Sequence, residues 1–344
     1  MDGVHNRRAR PTLRLLREDL SSDWGAVHPQ RSLAAGRLGD LHPLSELPHP
    51  IITKATECFG ANPDEDNFVG PIGCSTRLRL LEIKQSQWRG GVWDDPATGV
   101  RWLVVAGLAK GGHRDRDDFY KYVEREDRAG STEQWLPHAE DIRLLKQETA
   151  ARLRTQWELE IQKLLLETLR HISAGGSRRI SIDHPIPNQG KFAVVDLTIA
   201  PVREEGYEAD EMDVEIIPES RYAGSNLLWE MTTRILISLE PPEQGWDRDR
   251  DTYINIGEPG AWSNRARDLE NLVNTGELVV SEPGSISHYT HRAHLAGKTI
   301  NGEAVRALCG PFFVPRQDHE SLPQCPTCEQ RLQEIAPSQS GKAN

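Results

Sequence analysis

Hydrophobic positions are sparse and aperiodic in residues 1–70, where Pro29, Pro43, Pro48 and Pro50 break every run. This pattern predicts an irregular segment with one short helix near residues 13–20. From Thr76 the pattern changes. Leu78, Leu80 and Ile83 alternate in part with charged residues, Trp88-Arg89-Gly90-Gly91-Val92-Trp93 follows, and Asp94-Asp95-Pro96-Ala97-Thr98-Gly99 is turn chemistry. Val100-Arg101-Trp102-Leu103-Val104-Val105-Ala106-Gly107 is apolar enough for a central strand. A meander of antiparallel strands is expected, with Asp117-Asp118 opening a short helix over 119–125.

The next element is long. Over 139–172, Ile142, Leu145, Leu153, Trp157, Ile161, Leu164, Leu165 and Leu169 recur at three- and four-residue spacing with no proline or glycine, and Gly175-Gly176 ends the run. Strands are expected at 179–182, 192–200 and 212–217, with helices at 225–239 and 263–273. Arg248-Asp249-Arg250-Asp251 reads as a charged surface loop, and Ser263 as an N-cap. The fold class is therefore α+β: an antiparallel sheet module over 71–135, a helix-flanked second sheet over 139–280, a zinc-ribbon-like module over 285–332 and a mobile tail over 333–344.

Composition narrows the function. The chain has 344 residues, more than one core usually serves, so several modules are expected. Its net charge of −11 means that any nucleic-acid contact must use a local basic face. No apolar run reaches the ~18 residues of a membrane span, and the Arg-rich first 17 residues lack the apolar region of a secretory signal, so no membrane partner is expected. Five unevenly spaced cysteines do not form a disulfide framework, which fits a reducing cytoplasm. Gly175-Gly176 lacks the Lys-Ser or Lys-Thr of a phosphate loop, and neither Gly-x-Ser-x-Gly nor His-Glu-x-x-His occurs. Asp183, Asp196, Asp213 and Glu215 lie on or beside strands, but Asp213-x-Glu215 lacks the lysine of a metal-dependent nuclease, and charges on an open sheet face explain them better.

The sharpest chemistry is near the C-terminal end. Cys325-Pro326-Thr327-Cys328 can turn both sulfurs inward on one knuckle, with Pro326 restricting the loop. Cys309-Gly310 supplies a third sulfur, and Gly310 permits close backbone approach. A fourth ligand must come from a carboxylate or a histidine, with His288, His291, His294 and His319 in reach. Three thiolates and a neutral imidazole around zinc make a closed structural centre; a redox Cys-x-x-Cys would leave the third cysteine without a role.

His288-Tyr289, Ala307-Leu308-Cys309-Gly310, the following Phe313-Val314-Pro315, and Pro323-Gln324-Cys325-Pro326-Thr327-Cys328 together resemble a small bacterial domain family of unknown function. The resemblance covers about 45 residues and implies His288, Cys309, Cys325 and Cys328 as the ligands, but no reaction. His291 and His294 are additions to the family pattern.

A second resemblance lies upstream. Leu80 to Ile83, Trp88 to Asp94 and Trp102 to Lys110 are similar to the sheet of RelE/HigB-type ribonuclease toxins. That similarity implies Arg89 and Lys110 at a phosphate, His113 or Tyr120 in proton transfer and Arg114 steadying charge. Residues 76–125 carry ten basic and seven acidic side chains, a basic island in an acidic chain, although Asp115, Asp117 and Asp118 adjoin it. Two readings follow. One is a zinc-binding multi-module factor of accessory, mobile-element or defence type that binds nucleic acid or protein. The other is a toxin-like endoribonuclease acting on RNA or a ribosome-associated target.

Overall fold

A computed structural model describes residues 8–41, 43–59, 63–110, 118–205, 207–240, 246–280, 286–291, 295, 305–310, 312–313, 320 and 322–335. It is an α+β protein that divides into two compact units, residues 1–151 and 152–344. The division falls inside the long helix.

The first unit is built on a five-stranded sheet of order β1-β5-β4-β3-β2. Its strands are β1 (Arg10–Pro11), β2 (Gly70–Pro71), β3 (Leu81–Gln85), β4 (Trp88–Asp94) and β5 (Arg101–Leu108), all antiparallel except the β1–β5 pair. Strand β5 is apolar from Trp102 onward because both its faces are buried: Leu103 and Ala106 join one core cluster, and Trp102, Val104 and Val105 another. Gly90 and Gly91 of β4 leave no room for a side chain, since a Cβ at either would come within 2.8 Å of Leu103 or of Leu80 and Val105.

One face is covered by three helices: α1 (Leu13–Glu18), α2 (Val27–Ala34) and α3 (Pro50–Glu57). The expected irregular segment over 1–70 is thus mostly structured where it is described. Its prolines open helices instead of excluding them: Pro50 is the first residue of α3 and Pro29 the third of α2, where no intrahelical N–H is lost. His49 precedes α3, fully buried between Trp24 and Trp88. Its Nδ1 accepts from the Ile51 N–H at 3.3 Å, and its Nε2 lies 3.0 Å from the Ser22 carbonyl, so the ring is neutral with the proton on Nε2.

The other face is covered by α4 (Phe119–Ala129) and the start of α5 (Ala139–Ile172). Asp118 caps α4 through the Tyr120 N–H, and Gly130 ends it in the left-handed conformation, so the helix runs four residues past the expected end at 125. The start of α5 is held by polar contacts: Asp141 accepts from the Leu13 N–H at 2.7 Å, and Glu148 binds Arg10 at 2.6 Å.

The second unit holds a wholly antiparallel sheet of order β6-β7-β8-β10-β9. Its strands are β6 (Gly176–Asp183), β7 (Lys191–Glu204), β8 (Tyr207–Pro218), β9 (Asp247–Asp249) and β10 (Thr252–Gly257). Alternate residues of β7, namely Ala193, Val195, Leu197 and Ile199, are buried against the rest of α5, α6 (Asn226–Leu239) and α7 (Ala261–Thr275). Asp196, Asp213 and Glu215 alternate with the buried positions, and Asp196 pairs with Arg179 at 2.5 Å, as a half-open sheet face requires.

Two expectations fail here. The charged run 248–251 is not a surface loop alone; it ends β9 and turns into β10. Ser263 is not the cap of α7, which starts two residues earlier behind Gly260 at φ 83°. Among the described residues no helix is long and apolar enough to cross a membrane. The expected tail, 333–344, is described only to Ile335, which closes a helix.

Candidate metal centre

Among its described residues the C-terminal module has a short hairpin, β11 (Val305–Arg306) with β12 (Phe312–Phe313), and the helix α8 (Pro326–Ile335). Among its described residues Val305, Ala307, Cys325 and Cys328 are buried, with Leu295, Leu308 and Cys309 packed against them. Two of the four buried residues are themselves cysteines.

Backbone bonding brings the ligands together. Ser287 bridges Gln324, donating to the Pro323 carbonyl at 2.8 Å and accepting from the Cys325 N–H at 2.9 Å. Two residues on, the Tyr289 carbonyl accepts from the Leu308 N–H at 2.7 Å. His288 is therefore held between the loop carrying Cys325 and the loop carrying Cys309. A tight turn closed by the Gly310 N–H on the Ala307 carbonyl, at 3.1 Å, presents Cys309. Helix α8 starts directly after Cys325, so Cys325 and Cys328 lie one turn apart on the same side.

The resulting cluster comprises His288, Cys309, Cys325 and Cys328, whose ligand atoms all lie within 4.8 Å of one another. His288 Nδ1 is 3.2 Å from Cys309 Sγ and 3.7 Å from Cys328 Sγ, and Cys309 Sγ is 3.7 Å from Cys325 Sγ. A tetrahedral ion with metal–sulfur bonds of ~2.3 Å separates its sulfurs by ~3.8 Å and sulfur from nitrogen by ~3.6 Å. The spacing fits such an ion. Sulfur-rich donors suit a soft or borderline cation and not calcium or magnesium, and four protein ligands leave no open position.

Electrostatics agree. Burial, reinforced by the neighbouring Cys328 and Cys325 sulfurs, pushes the Cys309 thiol well above the ordinary range. Burial also works against the Cys325 thiolate, but the backbone N–H of Cys328, the Cys309 thiol and the Thr327 N–H outweigh it and lower its pKa. Three sulfurs this close become thiolates together only around a cation.

Residues 281–335 match the model of a protein family of unknown function, DUF3039. The matched stretch contains all four clustered residues. No curated protein and no solved structure matches the chain. Of the histidines left open by the sequence, the structure brings His288 to the sulfurs; His291 is exposed and outside the cluster. His294 and His319 lie outside the described residues. Cys58 and Cys74 are free thiols in the first unit, raised in pKa by burial.

The residues assigned by the toxin resemblance are partly brought together. Arg89 Nε lies 3.2 Å from the Tyr120 hydroxyl. That hydroxyl donates to the buried Glu82 carboxylate at 2.5 Å, and burial followed by this bond raises the Tyr120 pKa. Arg89 Nη1 is spent on the Ser86 and Trp88 carbonyls at 2.7 and 2.8 Å, which ties down the β3–β4 turn. Lys110 is exposed just beyond β5, its backbone N–H bound to Asp118 at 3.1 Å. His113 and Arg114 lie outside the described residues. A carboxylate inside the Arg89–Tyr120 pair is poor company for a phosphate, so the group reads first as a structural network.

One feature of the module has no signal in the sequence: Arg306 and Gly310 both sit on Trp246, some sixty residues earlier. Arg306 Nη2 donates to the Trp246 carbonyl at 2.7 Å, and a Cβ on Gly310 would meet the same oxygen at 2.8 Å.

Proposed function

We propose that the protein is a zinc-binding multi-module accessory factor whose metal centre is structural and whose partner is another protein. The observation that carries this reading is the Cys₃His cluster, with inter-ligand distances of 3.2 to 3.7 Å that suit tetrahedral zinc. A reducing compartment suits three free thiols.

Charge supports a protein partner over nucleic acid. The chain is acidic, at −11. Among the described residues of the module, both arginines serve the fold: Arg306 binds the Trp246 carbonyl, and Arg331 binds the Leu308 carbonyl at 3.1 Å and pairs with Asp247 at 3.5 Å. Tyr289, Leu332 and Ile335 are exposed at 39%, 40% and 62%, apolar surface of the kind protein contacts use. The test pairs metal analysis with binding. Zinc-loaded protein is expected to hold zinc through gel filtration and to show no salt-sensitive retention of an RNA or DNA oligonucleotide. Retention lost on chelation would transfer the reading to nucleic acid.

The endoribonuclease reading keeps one support, the approach of Arg89 to Tyr120. It predicts growth arrest on expression, relieved by Arg89→Ala or Lys110→Ala. Absence of both arrest and RNA cleavage by purified protein removes it.

A further inference from the structure

Strand β9 is the weakest part of the second sheet. It has three residues, lies at the sheet edge and among the described residues pairs only with β10. Three residues of ladder cannot hold an edge strand alone, since backbone hydrogen bonds exposed to water contribute little. Yet Trp246, which leads into it, is 1% exposed and belongs to the main core of the unit, as does Tyr253 of β10.

The metal module adds contacts of its own to this edge. Arg306 reaches the Trp246 carbonyl through Nη2 at 2.7 Å and its own Gly310 carbonyl through Nε at 3.3 Å, and its guanidinium lies over the Tyr253 ring at 5.5 Å. The Gly310 backbone rests on Trp246. At φ 120°, with the Trp246 carbonyl oxygen 2.8 Å from where a Cβ would stand, the position favours glycine strongly. Arg331 of α8 adds the ion pair to Asp247. Each of these anchors is tied to a ligand: Gly310 follows Cys309, Arg331 lies one turn beyond Cys328, and the Arg306 carbonyl accepts from Thr290, two residues after His288.

We infer that the metal centre is a clasp: ion binding by His288, Cys309, Cys325 and Cys328 fixes Arg306, Gly310 and Arg331, and these hold Trp246, β9 and the outer side of β10 on the second sheet. Metal occupancy is thereby read out in a strand that contains no ligand. The inference rests on the metal-binding reading above and adds a regulated element to it. An edge strand is a common place for another chain to add, so release of β9 changes which backbone groups of β10 the protein offers.

Hydrogen exchange followed by mass spectrometry tests this on the full chain, with zinc content measured on the same samples. Zinc-loaded wild type is compared with protein stripped by a chelator and with zinc-loaded Arg306→Ala. Stripping is expected to speed exchange across 246–257 while 193–199 of β7 stays protected. Arg306→Ala is expected to retain one zinc per chain and still exchange across 246–257 on the order of tenfold faster, as loss of a charge-assisted bond implies. If zinc binds but neither stripping nor Arg306→Ala changes 246–257, the clasp is overturned while the metal reading stands. If no zinc binds, both are overturned.

Discussion

The core of the second unit and the metal module at its end are folded by different forces. Strands β6 to β8 and helices α5, α6 and α7 pack Trp157, Leu165, Leu197, Val214, Ile235 and Trp262 into one apolar cluster. Among its described residues the module buries four in its core, two of them cysteines. Area burial holds the first; on the proposed reading, coordination holds the second. The same distinction governs what substitutions do. Removing one apolar side chain from a large core weakens a cooperative whole, whereas removing one ligand from four removes the module's organising centre.

The largest expected effect follows from that contrast. Chelation should release a structural ion whose binding contributes about 10–16 kcal/mol in comparable small modules. Residues 286–335 should then become protease-sensitive while β6 to β8 stay resistant; equal loss of both would mean that the two regions fold as one. Next is Leu197→Ala, in the middle of β7 and fully buried. It should lower the unfolding free energy in urea by about 2–5 kcal/mol with zinc content unchanged.

A smaller effect is expected at Asp127 in the first unit. Its carboxylate accepts from the Thr76 hydroxyl at 2.6 Å and from the Thr76 and Arg77 backbone N–H groups at 3.0 Å each. Burial opposes ionisation, but these bonds outweigh it and hold the pKa below the usual carboxylate range. Its contribution is thus complete above ~pH 4 and is lost as the pH falls through the lowered folded value. Asp127→Asn should cost about 2 kcal/mol at neutral pH and flatten the acid limb of the stability curve.

The finest distinction concerns His49. Burial lowers its pKa against the opposing pull of the Ser22 carbonyl and Asp23. The neutral ring is required in the fold, so full stability lies above ~pH 6.5 and erodes as the pH falls below it. The urea midpoint of the first unit should drop between pH 7.5 and 5.5, and less so in His49→Asn; equal drops would rule out His49 as the cause.

What the sequence made legible follows the range of each interaction. Strand β5 and helix α5 were readable because continuous burial and a long three-and-four spacing are local patterns. The cysteines were readable because sulfur ligands have few other uses in such spacing. The helices α2 and α3 were not, since each is eight residues long and carries its proline in the first turn, where proline is harmless. Strand β10 was hidden because the alternating charges at 248–251 mask the turn that precedes Tyr253, Ile254 and Ile256. The seat of Arg306 on Trp246 was invisible because it joins residues sixty positions apart without any motif. The toxin-like pattern shows the converse hazard: Arg89 does meet Tyr120, but Glu82, on the neighbouring strand, accepts from the same hydroxyl, a partner that the sequence pattern did not point to.

The most direct test of the account is the metal content of the purified chain, measured by mass spectrometry beside Cys325→Ser. The account predicts one zinc per wild-type chain and none in the variant. A wild-type chain without bound metal, or a variant that retains it in full, would contradict it.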